Sequence, residues 1–105
     1  MALQRIVKMT FKPEHCLEFE TYFGQIKERV ANQPGCYGVK LLKDINTASG
    51  IYFTYSTWIN EDALNAYRDT ALFAAVWPTV KVWFGGKPEA WSTQIAVDIK
   101  AEDLK

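Results

Sequence analysis

The segment "IYFTYSTWI", Ile51 to Ile59, is the densest run of β-branched and aromatic residues in the chain. Such residues favour extended strands, so the segment predicts a strand. A second strand is predicted just before it, from Tyr37 to Ile45, where apolar residues alternate with Gly38, Lys40 and Asp44. The turn-rich Asn46–Gly50 separates the two and predicts a hairpin.

The flanking sequence predicts four further elements. Leu3–Phe11 alternates as a strand, and apolar residues at spacings of three and four predict a helix from Pro13 to the "NQPG" stop at Asn32–Gly35. A helical region capped by Asn60 extends to Gly85 and Gly86, with a predicted bend or restart at Pro78. Lys87–Lys100 alternates as a last strand, and residues 101–105 are predicted to be a loose tail after a folded 1–100.

The order β-α-β-β-α-β predicts an α+β, ferredoxin-like fold with an antiparallel sheet and both helices on one face. No linker, repeat or low-complexity segment divides the chain, so residues 1–105 are predicted to form a single domain.

One face of the predicted sheet is almost wholly apolar and is expected to lie under the helices. The opposite face mixes polar residues with Ile6, Leu42, Tyr52, Trp58 and Ala96. Because a monomer would leave these large side chains in water, we expect this face to pack on a second copy as a symmetric homodimer. The set predicted to face the helices is Val7, Met9, Phe11, Tyr37, Val39, Leu41, Ile45, Ile51, Phe53, Tyr55, Trp91, Ile95 and Val97.

Charge and composition exclude several functions. Lys plus Arg and Asp plus Glu number 12 each, so no basic field would attract nucleic acid or an anionic membrane surface. No apolar run approaches the roughly 20 residues of a membrane span, and no signal-peptide pattern is present, which predicts a cytoplasmic protein. Cys16 and Cys36 are expected to be free, and a single histidine, His15, predicts no metal site. No glycine-rich phosphate loop follows a strand, so no nucleotide cofactor is expected.

The region around Pro78 predicts a ligand pocket. A bend there would open a gap above the sheet, rimmed by Tyr67, Phe73 and Trp77, with Tyr55 and Phe23 as floor and wall. Such a pocket would suit a flat aromatic ligand. The alternative is that the helix only improves packing and that side chains fill the space.

Four stretches carry a family resemblance: "PGCYGVKLLKD", "FTYSTWINEDALNAY", "ALFAAVWPTVKVWF" and "KPEAWS". They resemble the antibiotic biosynthesis monooxygenase (ABM) superfamily, over about Ile6 to Val97. The resemblance implies a dimeric α+β barrel. It also implies one of several activities: oxidation of phenols or quinols by O₂ without a cofactor, haem degradation, or none. The family's haem-degrading residues align with Val7, Tyr67 and Trp77, none of which matches, and no imidazole is available to bind the iron.

Two functions therefore remain open at the sequence level. The first is a cofactor-independent monooxygenase acting on a small aromatic phenol or quinol. The second is a non-catalytic dimeric module that binds a small hydrophobic molecule. A purely structural dimer is a third hypothesis. No catalytic base is assigned, because His15 and Arg68 are both expected to be solvated surface residues.

Overall fold

A computed structural model describes residues 2–104 of the chain. It contains a four-stranded antiparallel sheet and three α-helices. The strands are β1 (Leu3–Thr10), β2 (Cys36–Lys43), β3 (Ile51–Trp58) and β4 (Glu89–Thr93), and they lie in the order β2-β3-β1-β4. The helices are α1 (Cys16–Ala31), α2 (Glu61–Arg68) and α3 (Ala71–Lys81). This confirms the predicted α+β ferredoxin-like arrangement.

The second helical region divides at a different place from the one predicted. The break falls at Asp69 and Thr70, where Thr70 caps α3 by accepting a hydrogen bond from the Phe73 amide at 3.2 Å. Helix α3 continues through Pro78. Ala74, whose carbonyl loses its donor because proline has no N–H, is exposed, so water can satisfy that carbonyl. The predicted restart at Pro78 was wrong, whereas the predicted Asn60 cap is confirmed, since its side chain accepts from the Ala63 amide.

The predicted faces are correct for β1 and inverted for β3. Met9 and Phe11 are buried under the helices, as expected. In β3 the residues facing the helices are the even-numbered ones, because Tyr52 pairs with Met9 and Thr54 pairs with Val7. Tyr52 and Trp58, predicted for the opposite face, are each only 1% exposed. Ile51, Phe53 and Tyr55 consequently lie on the outer side of the sheet.

In the edge strand β2 the predicted faces of Val39 and Leu41 are confirmed, since they pair with Ser56 and Thr54. The ends of β2 and the extent of β4 depart from the prediction. A register shift between Cys36 and Gly38 leaves Tyr37 outside the ladder and 64% exposed, and Ile45 lies beyond the end of β2, fully exposed. Strand β4 ends at Thr93 instead of Lys100, so Ile95 and Val97 are exposed rather than covered. Trp91 pairs with Ile6 and lies on the outer side of the sheet.

The core consists of two clusters on the helix side of the sheet. The larger cluster contains Met9, Phe11, Phe19, Tyr52 and Val80, with Phe11 stacked on Phe19 at 4.1 Å between ring centroids. The smaller cluster contains Leu3, Trp58 and Leu64. Burial of these side chains supplies most of the driving force for the fold.

The chain after β4 adds little to the core. Residues 94–100 form no regular element, and Ala101–Leu104 form one exposed 3-10 turn, while Lys105 lies outside the described residues. None of the helices between residues 2 and 104 has the length and apolar composition that a bilayer crossing requires.

Candidate functional site

A partly enclosed cavity of about 380 Å³ lies between the sheet and the three helices. Its lining draws on both core clusters, including Met9, Phe19 and Val80 from the larger one and Trp58 and Leu64 from the smaller one. The cavity therefore lies between the two core clusters. A volume of this size falls in the range of about 300–1,000 Å³ that is typical of small-molecule sites.

Four of the five residues predicted for the pocket line this cavity. They are Phe23 from α1, Tyr67 from α2, and Phe73 and Trp77 from α3. Tyr55 is the exception, because it pairs with Ile6 and Lys40 on the outer side of the sheet. Its place in the floor is taken by Thr54 and Ser56, which precede and follow it on β3.

The aromatic wall of the cavity is a continuous series of ring contacts. Trp58 stacks on Tyr67 with centroids 5.2 Å apart, and Tyr67 meets the edge of Phe73 at 5.3 Å. Phe73 lies parallel to Trp77, one helical turn further, at 6.3 Å. Such stacked and edge-to-face pairs restrict one another, so the wall is held in a defined shape.

Trp58 fixes the buried end of this wall, although the alternation of β3 predicted it for the opposite face of the sheet. Its indole Nε1 donates a 2.9 Å hydrogen bond to the Ser56 hydroxyl, which is itself buried. The donor is thus satisfied, and the ring cannot rotate without losing that bond. The sequence does contain one indication of a cavity on this face. The polar residues Thr54 and Ser56 lie on the same face of β3 as Trp58, as expected of a strand that lines a cavity.

Burial keeps the Tyr67 phenol neutral. It raises the pKa of Tyr67 to about 12, with smaller contributions from the Cys36 and Tyr22 side chains. A neutral phenol has an O–H to donate, so Tyr67 can give a hydrogen bond to an oxygen atom of a ligand over the whole physiological pH range.

The cationic part of the lining is formed by two arginines. Arg5 projects from β1 on the helix side and donates from Nη1 to the Ser92 hydroxyl at 3.0 Å, while Arg68 closes the last turn of α2. Burial, and then the positive charge of Arg68, lower the pKa of Arg5. Arg68 was expected to be a solvated surface charge, and its side chain is exposed although it reaches the cavity.

Of the two remaining candidate groups, His15 lies outside the cavity and Glu89 belongs to its lining. His15 precedes α1 and its Nδ1 lies 2.7 Å from Glu18, so it takes no part in the cavity. Glu89 is the one carboxylate in the described lining, and it lies 4.0 Å from the Lys8 ammonium. Across residues 2–104, no group of three acidic, histidine or cysteine side chains could hold a metal ion.

The overall fold is shared with solved structures at low sequence identity. A conserved protein from Methanosarcina mazei Go1 matches with a TM-score of 0.83 and 18% identity, covering 90% of this chain and 92% of that one. A proposed antibiotic biosynthesis monooxygenase from Caulobacter crescentus CB15 matches with a TM-score of 0.82 and 23% identity, covering 91% of each chain. SnoaB, a cofactor-independent oxygenase from Streptomyces nogalater, matches at 0.79 and 18%, covering 93% and 96%.

Sequence comparison gives the family directly. No curated protein sequence matches this chain closely enough to add a functional comparison. The model of the family named antibiotic biosynthesis monooxygenase matches residues 3–77, a stretch that begins with β1 and includes Trp58, Tyr67, Phe73 and Trp77. The chain therefore belongs to the antibiotic biosynthesis monooxygenase (ABM) family.

Proposed function

We propose that this chain is a cofactor-independent monooxygenase that oxidises a small phenol- or quinol-type aromatic compound with O₂. The observation that carries the proposal is the cavity of about 380 Å³ with a fixed aromatic wall. Stacked rings present flat apolar surfaces, which suit a flat aromatic guest. The fold shared with SnoaB, a cofactor-independent oxygenase, is consistent with this chemistry.

In the proposed reaction the substrate supplies its own electrons. A substrate anion transfers one electron to O₂, giving a substrate radical and superoxide. The two radicals combine into a carbon-bound peroxide. The peroxide anion takes up the proton that the substrate had lost. Cleavage of the O–O bond, with loss of the carbon-bound proton, then releases water and leaves a carbonyl group, so one oxygen atom enters the product. The protein has only to orient the ring, exclude bulk water and stabilise the oxyanion.

Three groups of the cavity suit the last of these tasks. The Tyr67 phenol is neutral at physiological pH and the Trp77 ring carries an indole N–H, so both can donate to a ligand oxygen. The Ser56 hydroxyl accepts from Trp58 and keeps its own hydrogen to donate. Donors fixed by packing stabilise a developing negative charge without reorganising.

A non-catalytic role in binding a small hydrophobic molecule is the second candidate. It is favoured by the shortage of acid-base groups in the cavity, since the lining within residues 2–104 contains no imidazole and its carboxylate, Glu89, is exposed beside Lys8. A binding module needs no proton transfer. The two functions differ in whether a bound aromatic is consumed.

Oxygen uptake separates the two candidates. Purified protein is mixed with 1,8-dihydroxyanthrone, and product formation is followed under air and under argon. If the chain is a monooxygenase, we expect quinone to form only in the presence of O₂. The rate should fall at least ~10-fold in the Tyr67→Phe/Trp77→Phe double variant, which is equivalent to a loss of about 1.4 kcal/mol of transition-state stabilisation. Tyr37→Phe, which removes an exposed phenol, is the control. Binding without turnover in air would support the second candidate instead.

We also propose that the chain works as a homodimer through the outer sheet face. We use this name for the surface formed by Ile6, Leu42, Phe53, Tyr55 and Trp91, which lie opposite the helices. Leu42 and Trp91 are 45% and 44% exposed. A contiguous apolar surface on a sheet indicates an association site, and an identical copy presents the matching surface.

Sedimentation tests the dimer. At micromolar concentration we expect a particle of twice the 12.0 kDa chain mass. A charge placed on the outer sheet face, as in Leu42→Glu, is expected to shift the protein toward monomer, because an unpaired buried charge opposes association. Leu17→Glu, at a position 75% exposed on α1, is the matched control and should stay dimeric. A wild-type monomer would overturn the proposal.

A cytoplasmic location is proposed on the state of the thiols. Cys16 and Cys36 are both free and partly buried. Free thiols are the usual state of cysteine in a reducing compartment. Labelling of both thiols in intact cells, without prior reduction, is the expected result, and a disulfide in the isolated protein would contradict it.

A further inference from the structure

The cavity is chemically uneven along β1. Arg5, Val7 and Met9 line it in succession, and alternate residues of a strand are about 6–7 Å apart. At the Met9 end the neighbours are Phe19 and Val80, which are apolar and buried. At the Arg5 end the neighbours in register are Ser56 and Ser92. One end of the cavity is therefore hydrocarbon and the other is cationic and hydroxylic.

The two arginines at the cationic end lack counter-ions. Within residues 2–104 no carboxylate comes within 4.0 Å of either guanidinium, although the chain has as many acidic as basic residues. The single bond from Arg5 to Ser92 uses one of its five N–H donors. The last turn of α2 favours a cation at Arg68 through the helix dipole. Arg5, in the middle of a strand, has no such explanation.

Two like charges that line one cavity repel each other. Burial is the main cause of the lowered pKa of Arg5, and the positive charge of Arg68 adds to it. Both remain protonated, because guanidinium does not lose its proton in proteins. The arrangement therefore carries an unfavourable term that a bound anion would remove. Guanidinium is a planar fork that matches the paired oxygens of a carboxylate better than an ammonium does, and its positive charge also attracts the single oxygen of a phenolate.

From this juxtaposition we infer that the ligand is a flat aromatic anion, with its rings against the Tyr67–Phe73–Trp77 wall and its negative oxygen between Arg5 and Arg68. The inference rests on the proposed function for the aromatic part and adds the charge of the ligand. For a phenol, the two cations favour the phenolate. The phenol releases its proton to solvent water, and the two guanidinium groups stabilise the phenolate that donates the first electron to O₂, so no dedicated base is needed. This agrees with a cavity that contains no imidazole among the described residues.

A matched pair of ligands tests the inference without turnover. 2-Naphthoate and 2-naphthamide have the same ring system and differ in charge, and their binding is measured at pH 7 by calorimetry or by quenching of tryptophan fluorescence. The naphthoate is expected to bind at least ~10-fold more tightly, and the advantage should shrink with added salt. In Arg5→Gln and in Arg68→Gln the advantage is expected to fall to about twofold or less, while naphthamide binding is unchanged.

Arg29→Gln is the control, since Arg29 lies on α1 away from the cavity and its loss removes the same net charge. Melting curves of all variants check that the fold is kept. Equal binding of the two ligands, or a naphthoate advantage that survives in Arg5→Gln, would overturn the inference while leaving the aromatic site intact. Failure of both ligands to bind would overturn the inference together with the proposed aromatic site.

Discussion

Trp58→Phe is the substitution whose cost follows most directly from the structure. Trp58 is 1% exposed, donates to Ser56 and stacks on Tyr67. Phenylalanine keeps the stacking but removes the donor, and the net loss of one hydrogen bond is about 1 kcal/mol. The smaller ring leaves a space of roughly 40 Å³, which at ~24 cal/mol per Å³ adds about 1 kcal/mol. We expect a total loss of about 2 kcal/mol in the free energy of unfolding.

The assay is urea unfolding at a fixed protomer concentration, followed by circular dichroism, because association makes apparent stability depend on concentration. A double-mutant cycle with Ser56→Ala isolates the hydrogen bond. Both single variants break it, so their costs should overlap by about 1 kcal/mol in the double variant. Strict additivity would refute the hydrogen bond. A cost below about 0.5 kcal/mol for Trp58→Phe would refute the placement of Trp58 in the core, since surface changes are of that size.

Two further predictions concern the core and the β3 turn. The Tyr52 hydroxyl donates a 2.5 Å hydrogen bond to Glu20, and this bond, followed by the one from Lys43, lowers the pKa of Glu20. We expect Tyr52→Phe to lower the free energy of unfolding by ~1 kcal/mol near pH 7, a value kept small by the partial exposure of Glu20. A carboxyl group whose pKa is lowered in the folded state stabilises the fold above about pH 4.5, and this stabilisation is lost as the pH falls through the folded-state pKa. The difference in denaturant midpoint between wild type and Tyr52→Phe should therefore close toward pH 3. A difference that does not change with pH would contradict the Tyr52–Glu20 hydrogen bond. Gly50 has φ +69°, and a Cβ there would lie 2.3 Å from the Phe11 carbonyl oxygen, so Gly50→Ala should lower the free energy of unfolding by ~2 kcal/mol or more. Gly24 lies on an open helix surface, so Gly24→Ala should raise it by about 0.5–1 kcal/mol. Thermal melts in which both substitutions change stability in the same direction would contradict the turn geometry.

The element order could be predicted from the sequence because each element carries local signals. The alternation of Leu3–Phe11, the Asn60 cap and the Asn46–Gly50 turn depend on neighbouring residues, and all are present in the structure. Pro78 gave a misleading signal, because its cost depends on whether the carbonyl four residues earlier is exposed, which is a tertiary property.

The faces of β3 and the extent of β4 could not be predicted in this way. Both faces of Ile51–Ile59 carry aromatic residues, and the odd-numbered face is the more apolar one, yet it lies outside. Apolarity predicts burial but does not say whether a helix or another chain provides it. The helix-facing side accommodates Thr54 and Ser56 because it lines a cavity, which local periodicity does not report. The apolar residues at 95, 97 and 99 likewise form no strand within this chain.

The proposed function requires that the cavity between the sheet and the helices holds a flat aromatic ligand. A crystal structure of the protein soaked with 1,8-dihydroxyanthrone under argon, where oxidation cannot proceed, tests it most directly. We expect electron density for the ligand beside Tyr67, Phe73 and Trp77, with an oxygen atom directed toward Arg5. A cavity filled by rearranged side chains, or ligand density only on the surface of the protein, would contradict it.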